Sequence, residues 1–118
     1  SNHGTANPLT PVVGLVCTAC DEQFVGSAFL EHLNAGHDVE PGARYTVVAT
    51  IVDEVVVPYR SQFLAGPISQ VTDVTLQHSC PFDLNEHLGI VSDPVARQWV
   101  LNALAGGGQA DAAFRPAC

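Results

Sequence analysis

A nearly continuous apolar run from Tyr45 to Val52 (YTVVATIV), rich in β-branched residues, predicts a strand buried on both faces, as in a parallel sheet. Val71 to His78 (VTDVTLQH) alternates apolar and polar positions and predicts a second strand. Between them, Pro58 closes the loop DEVVVP. Ser61 to Ala65 predicts one helical turn, broken by Gly66-Pro67. Helical spacing marks two further stretches. In EQFVGSAFLEHLN (22–34), Phe24, Ala28 and Leu30 to Leu33 recur at helical intervals, and Asn34-Ala35-Gly36 supplies a C-cap. Gly26 and Ser27 weaken its first turn. The stronger helix opens at Asp93-Pro94, with Asp as N-cap and Pro at the first helical position. Its sequence PVARQWVLNALA presents an apolar face of Ala96, Val100, Ala103 and Leu104, flanked by Trp99, and stops at Gly106-Gly107-Gly108. Residues 1–16 predict a loop containing the apolar stretch PVVGLV, and Asp38 to Gly42 a turn. The tail QADAAFRPAC is expected to have little structure unless Cys118 anchors it.

Strand, loop, strand, loop and long helix form a recognisable ending for a doubly wound α/β sheet, and a poor complete one. Composition keeps the chain globular, with 47% hydrophobic and 14% charged residues over 118 positions. The net charge of −8 rests on four arginines and no lysine. So acidic a surface repels phosphate backbones, which argues against a nucleic-acid partner. No apolar run approaches the ~18 residues of a transmembrane helix. The N-terminal residues SNHGTANPLTP lack the basic start and apolar core of a signal peptide, and no methionine is present. The missing methionine and an even cysteine count together predict an exported protein whose N-terminal portion is absent. Four cysteines, Cys17, Cys20, Cys80 and Cys118, admit a disulfide framework with three possible pairings.

The candidate chemistry lies in TIVDEVVVPY (Thr50 to Tyr59) and SCPFDLNEHLGI (Ser79 to Ile90). Asp53 follows the buried strand directly, and His87 sits in the loop after the second strand. A carboxylate at one strand end and an imidazole in the next loop face the same crevice. The acid can then fix the imidazole tautomer and stabilise the imidazolium. Asp before His matches the Ser–Asp–His order of α/β-hydrolases, but no Gly-x-Ser-x-Gly elbow occurs. Glu54, adjacent to Asp53, is a rival acid. Asp73, inside a strand, and Asp83, in the histidine's own loop, lack the usual geometry. An isolated Asp after a strand is otherwise a turn former or cap, and an isolated His a surface or core residue.

The runs RYTVVATIVDEVVVPY and VTDVTLQHSCPFDLNEHLGIVSDPVARQWVLNAL, with SNHGT and GSAFLEHLNAG upstream, closely resemble the secreted class 2 lipases of actinobacteria. These are serine esterases of the α/β-hydrolase fold, related to the fungal lipase B type. The resemblance covers residues 1 to about 105. It implies that residues 1–118 are the C-terminal portion of one catalytic domain. A lid-like helical region would lie at about 14–40, the last two parallel strands and final helix at about 44–105, and a tail at 106–118. It further implies that Asp53 is the catalytic acid and His87 the general base, and that a missing N-terminal portion carries the serine elbow. None of Ser27, Ser61 and Ser79 has the context of a nucleophile. The substrate would be a lipid or carboxylic ester such as a triacylglycerol, without cofactor or metal. Val55 to Val57, Leu88 and Ile90 are candidates to line the acyl or alcohol pocket, or equally to pack in the core. The related fungal type ties its histidine loop to its C-terminal tail, which implies a Cys80–Cys118 disulfide and leaves Cys17 and Cys20 to pair locally.

A different class of function competes. CTACDEQFVGSAFLEHLNAGH has the spacing C-x2-C-x11-H-x4-H, close to a zinc finger but one residue short in its central spacer. No Lys or Arg lies between Cys17 and His37, whereas a DNA-reading finger must touch phosphates. A redox role for CTAC would need a preceding strand, and none is evident. The alternative is therefore a non-catalytic interaction domain stabilised by disulfides or zinc.

Overall fold

Parallel pairing of two short strands organises the fold. The computed structural model describes residues 3–8, 12 and 15–118. β1 (Tyr45–Ala49) and β2 (Val71–Thr75) run parallel, with Tyr45 opposite Val71 and Ala49 opposite Thr75. Among the described residues from Leu15 onward, the helices in chain order are α1 (Thr18–Asp21), α2 (Ala28–Leu33), α3 (Leu76–Ser79) and α4 (Pro94–Ala105). Two 3-10 turns lie at Tyr59–Gln62 and Gly89–Ser92. Of the N-terminal PVVGLV stretch, Pro11, Val13 and Gly14 lie outside the described residues.

Both strands are shorter than the sequence pattern predicts, for a physical reason in each case. β1 stops at Ala49 because the chain turns at once into the loop holding Asp53, whose amide donates to the Thr50 carbonyl at 3.4 Å. β2 stops at Thr75 and becomes the helical turn α3, in which the Cys80 amide donates to the Leu76 carbonyl at 2.9 Å. A strand would send side chains four apart to the same face only along a straight line. The turn instead folds Leu76 and Cys80 together into the core.

That core lies between one face of the sheet and α4. Val48 and Val74, opposite each other in register, meet Val95, Ala96, Trp99 and Ala103. Asp93 caps α4 as predicted, its Oδ2 accepting from the Ala96 amide at 2.6 Å, with Pro94 at the start. The predicted apolar face is rotated, however. Val95, Ala96, Trp99 and Ala103 are buried, while Val100 and Leu104 are exposed. The helix ends at Gly106, and Gly107 and Gly108 take positive φ values of 72° and 106° that reverse the chain.

The reversed tail then packs along the sheet and α4. The Thr46 hydroxyl donates to the Gly108 carbonyl and accepts from the Ala110 amide, and Thr72 donates to the Ala110 carbonyl. Phe114 meets Trp99 edge-on with ring centroids 5.1 Å apart. Gln98 pairs through both side-chain atoms with the Ala117 backbone, and Cys118 is bonded to Cys80. The tail is thus ordered by the anchor that the resemblance implied.

The N-terminal half follows its prediction less closely. Only Ala28–Leu33 is helical in the 22–34 stretch, capped by the Ser27 hydroxyl accepting from the Leu30 amide. Gly26 takes a positive φ of 79°, which ends helical continuity before that cap. The helix closes on Asn34 at φ −97°, not in a left-handed glycine cap at Gly36. The expected turn at Ser61 to Ala65 forms two residues earlier, after Pro58.

Candidate active site

The geometry of the site begins where β1 ends. Asp53 is 9% exposed, and its own carboxylate organises the loop that carries it. Oδ1 accepts from the amides of Val55 at 3.0 Å and Val56 at 2.7 Å, the pattern of an Asx turn. Oδ2 accepts from the Gln62 side-chain amide at 3.0 Å. The loop after α3 brings His87 to the same carboxylate, with Nδ1 at 3.0 Å from each oxygen. Burial alone would raise the Asp53 carboxyl. The Val56 amide, the His87 ring and the Val55 amide outweigh that penalty and hold it below its ordinary value of 3.8. The acid is therefore ionised at neutral pH. With Nδ1 turned to Asp53, the proton-accepting atom of a neutral imidazole is Nε2.

The rival acids are not brought to the ring. Glu54 Oε2 accepts from the His87 backbone amide at 3.4 Å. Asp83 accepts from Asn85, and Asp73 lies near Asp38 and the Leu64 amide. Of the apolar residues near the relay, Val55 and Leu88 are 42% and 74% exposed, whereas Ile90 packs against the core.

Three residues of this neighbourhood escaped the sequence reading: Gln62, Thr5 and Gln77. Gln62 holds Asp53 directly. Thr5 lies in a short N-terminal clasp, its hydroxyl donating to the Val55 carbonyl at 2.7 Å and accepting from the Val57 amide at 3.0 Å. The Asn7 side chain donates to the Glu54 carbonyl. Gly4 is required there, because at φ 79° a Cβ would fall 2.6 Å from the Val25 nitrogen. Gln77 is a buried amide joining the two loops. Thr5 and Gln77 fell within the runs SNHGT and VTDVTLQH that carry the resemblance, without a role, and Gln62 fell within none.

The cysteines resolve one competing reading. Cys17 and Cys20 are bonded to each other, and Cys80 to Cys118. Disulfide sulfurs cannot serve as the two thiolates of a zinc finger. His37 sits 3.7 Å from Glu40, while His32 is exposed on α2. No group of three or more potential metal ligands occurs among the described residues.

Comparison with known proteins agrees with this architecture. The structure is similar to the crystal structure of lipase B from Aspergillus fumigatus, with a TM-score of 0.76 and 23% identity. The match covers 93% of this chain and 29% of that one, so this chain spans under a third of the fungal enzyme's length. The likeness establishes a fold of α/β-hydrolase type, with a small parallel sheet and flanking helices. A search of curated proteins finds no match. The family model described as Lipase (class 2) matches residues 1–100. The chain belongs to the class 2 lipase family.

Proposed function

We propose that this chain supplies the acid and base of a Ser–Asp–His carboxylic ester hydrolase, a triacylglycerol lipase or esterase whose nucleophilic serine lies outside these 118 residues. The observation that carries the reading is the 3.0 Å approach of the buried Asp53 carboxylate to His87 Nδ1. Membership of the lipase family supports an ester as substrate. In this reading Asp53 keeps the proton on Nδ1, and Nε2 takes the serine proton as the oxygen attacks the ester carbonyl. The imidazolium then returns that proton to the departing alcohol, and the same cycle run with water releases the acid. Asp53 stays ionised throughout and stabilises the imidazolium. Val55 and Leu88, exposed beside the relay, line the acyl or alcohol site, and Ile90 backs it. The two disulfides support an oxidising, extracellular location like that of the secreted actinobacterial enzymes the sequence resembles.

A fluorophosphonate probe tests this reading on the natural protein. The expected label falls on a longer chain, or on a partner, that carries Gly-x-Ser-x-Gly. His87→Ala should slow labelling by on the order of 10³-fold or more. A stable, unlabelled monomer of 12.4 kDa would overturn the reading in favour of a non-catalytic domain.

A further inference from the structure

We infer that Gln77 is a positioning residue, a strut that sets the distance between Asp53 and His87; the inference rests on reading these two as acid and base. The two residues stand on different loops, at the ends of β1 and β2, and nothing in the strand pairing itself fixes how those loops meet. Gln77 lies between them in α3, buried, with its side-chain oxygen and both N–H groups engaged. Oε1 accepts from the Ile51 amide at 3.0 Å. Nε2 donates to the Thr50 hydroxyl at 2.8 Å and to the Asp83 carbonyl at 3.0 Å. The first two partners belong to the acid's loop and the third to the base's.

The bonding continues outward from each end. Thr50 is fully buried, and its carbonyl accepts from the Asp53 amide. On the other side, Asp83 accepts from Asn85 at 2.9 Å and 3.1 Å. The Asn85 side chain in turn reaches Asp93 at the start of α4. The base's loop is thus tied to the acid's strand at one end and to the long helix at the other. Only a primary amide of this length supplies one acceptor and two donors together. Glutamate lacks the donors, and methionine has neither.

The test reads the Asp53–His87 contact itself, by NMR on the 118-residue chain. The His87 Nδ1–H resonance and its exchange rate with solvent are measured in the wild type, Gln77→Met and Thr50→Val. Backbone amide shifts of β1, β2 and α4 report whether each variant keeps the fold. Gln77→Met removes all three bonds and should accelerate Nδ1–H exchange by about tenfold or more, beyond the scale of one lost buried hydrogen bond. Thr50→Val keeps the β-branched shape and removes one of the three bonds, so a severalfold acceleration is expected. It decides the question alone if Gln77→Met does not fold. Exchange within about twofold of wild type in either folded variant overturns the strut. A wild-type Nδ1–H that is unprotected and unchanged by Asp53→Asn overturns the acid–base pair instead, so the two failures are distinct.

Discussion

Asp53 shows how much a single side chain can hold when its surroundings agree. Its carboxylate closes its own turn, receives Gln62 and meets His87, so that removing its charge disturbs the loop and the histidine contact together. Its folded-state pKa lies below the ordinary value, so ionisation favours the folded chain. That contribution is complete well above pH 3.8 and is lost as the pH falls from there through the lower folded value. Thermal melts of wild type and Asp53→Asn should accordingly differ most near neutrality and converge on acidification. A gap that stays constant with pH would contradict the assignment. The meeting of Asp53 with His87 was legible in the sequence because local order places them, one at a strand end and one in the following loop. Gln62, Thr5 and Gln77 were not. Their partners lie far along the chain or across loops, and hydrophobic periodicity carries no record of such hydrogen bonds.

At the scale of elements, α4 was the most legible feature. Its cap, first proline and terminal glycines act locally, and they appear where the sequence puts them. Its buried face was misread because Val100 and Leu104 are as apolar as Val95. Only the position of the sheet decides which apolar stripe is covered. Substitutions should expose this difference in urea unfolding. Trp99→Ala is expected to cost about 3–5 kcal/mol. Val100→Ala should stay within about 0.5 kcal/mol. Asp93→Ala, which strips the cap and a partner of Asn85, should cost about 1–2 kcal/mol. The strand lengths were overestimated for a related reason. Thr50 to Val52 and Leu76 to His78 keep strand-like composition, but the loop of Asp53 and the helical turn α3 bend them away.

Across the whole molecule, sequence-distant ties hold the loops of Asp53 and His87. The N-terminal clasp holds the loop of Asp53, and the C-terminal cysteine holds the start of the loop of His87. The two disulfides should therefore differ in weight. Cys80 and Cys118 are 38 residues apart, against three for Cys17 and Cys20. Loop-closure entropy then gives about 4 kcal/mol for the first and about 2 for the second. Chemical unfolding of the paired Cys→Ala variants should reproduce that order, and an inverted order would show that local strain or denatured-state structure outweighs loop length. The fold class was legible through the resemblance. The N-terminal clasp was not, since nothing in residues 3–7 predicts a partner some fifty positions on.

The docking of Phe114 on Trp99 has an optical consequence. Trp99 is the sole tryptophan, buried at 4% exposure, and its ring is covered by the tail that ends at Cys118. The chain thus contains one tryptophan whose emission colour is expected to depend on whether its C-terminus is seated. If reduction of Cys80–Cys118 unseats the tail, tryptophan emission should shift to the red, and an emission spectrum unchanged by reductant would show that the hydrogen bonds of Thr46, Thr72 and Gln98 hold the tail without the disulfide.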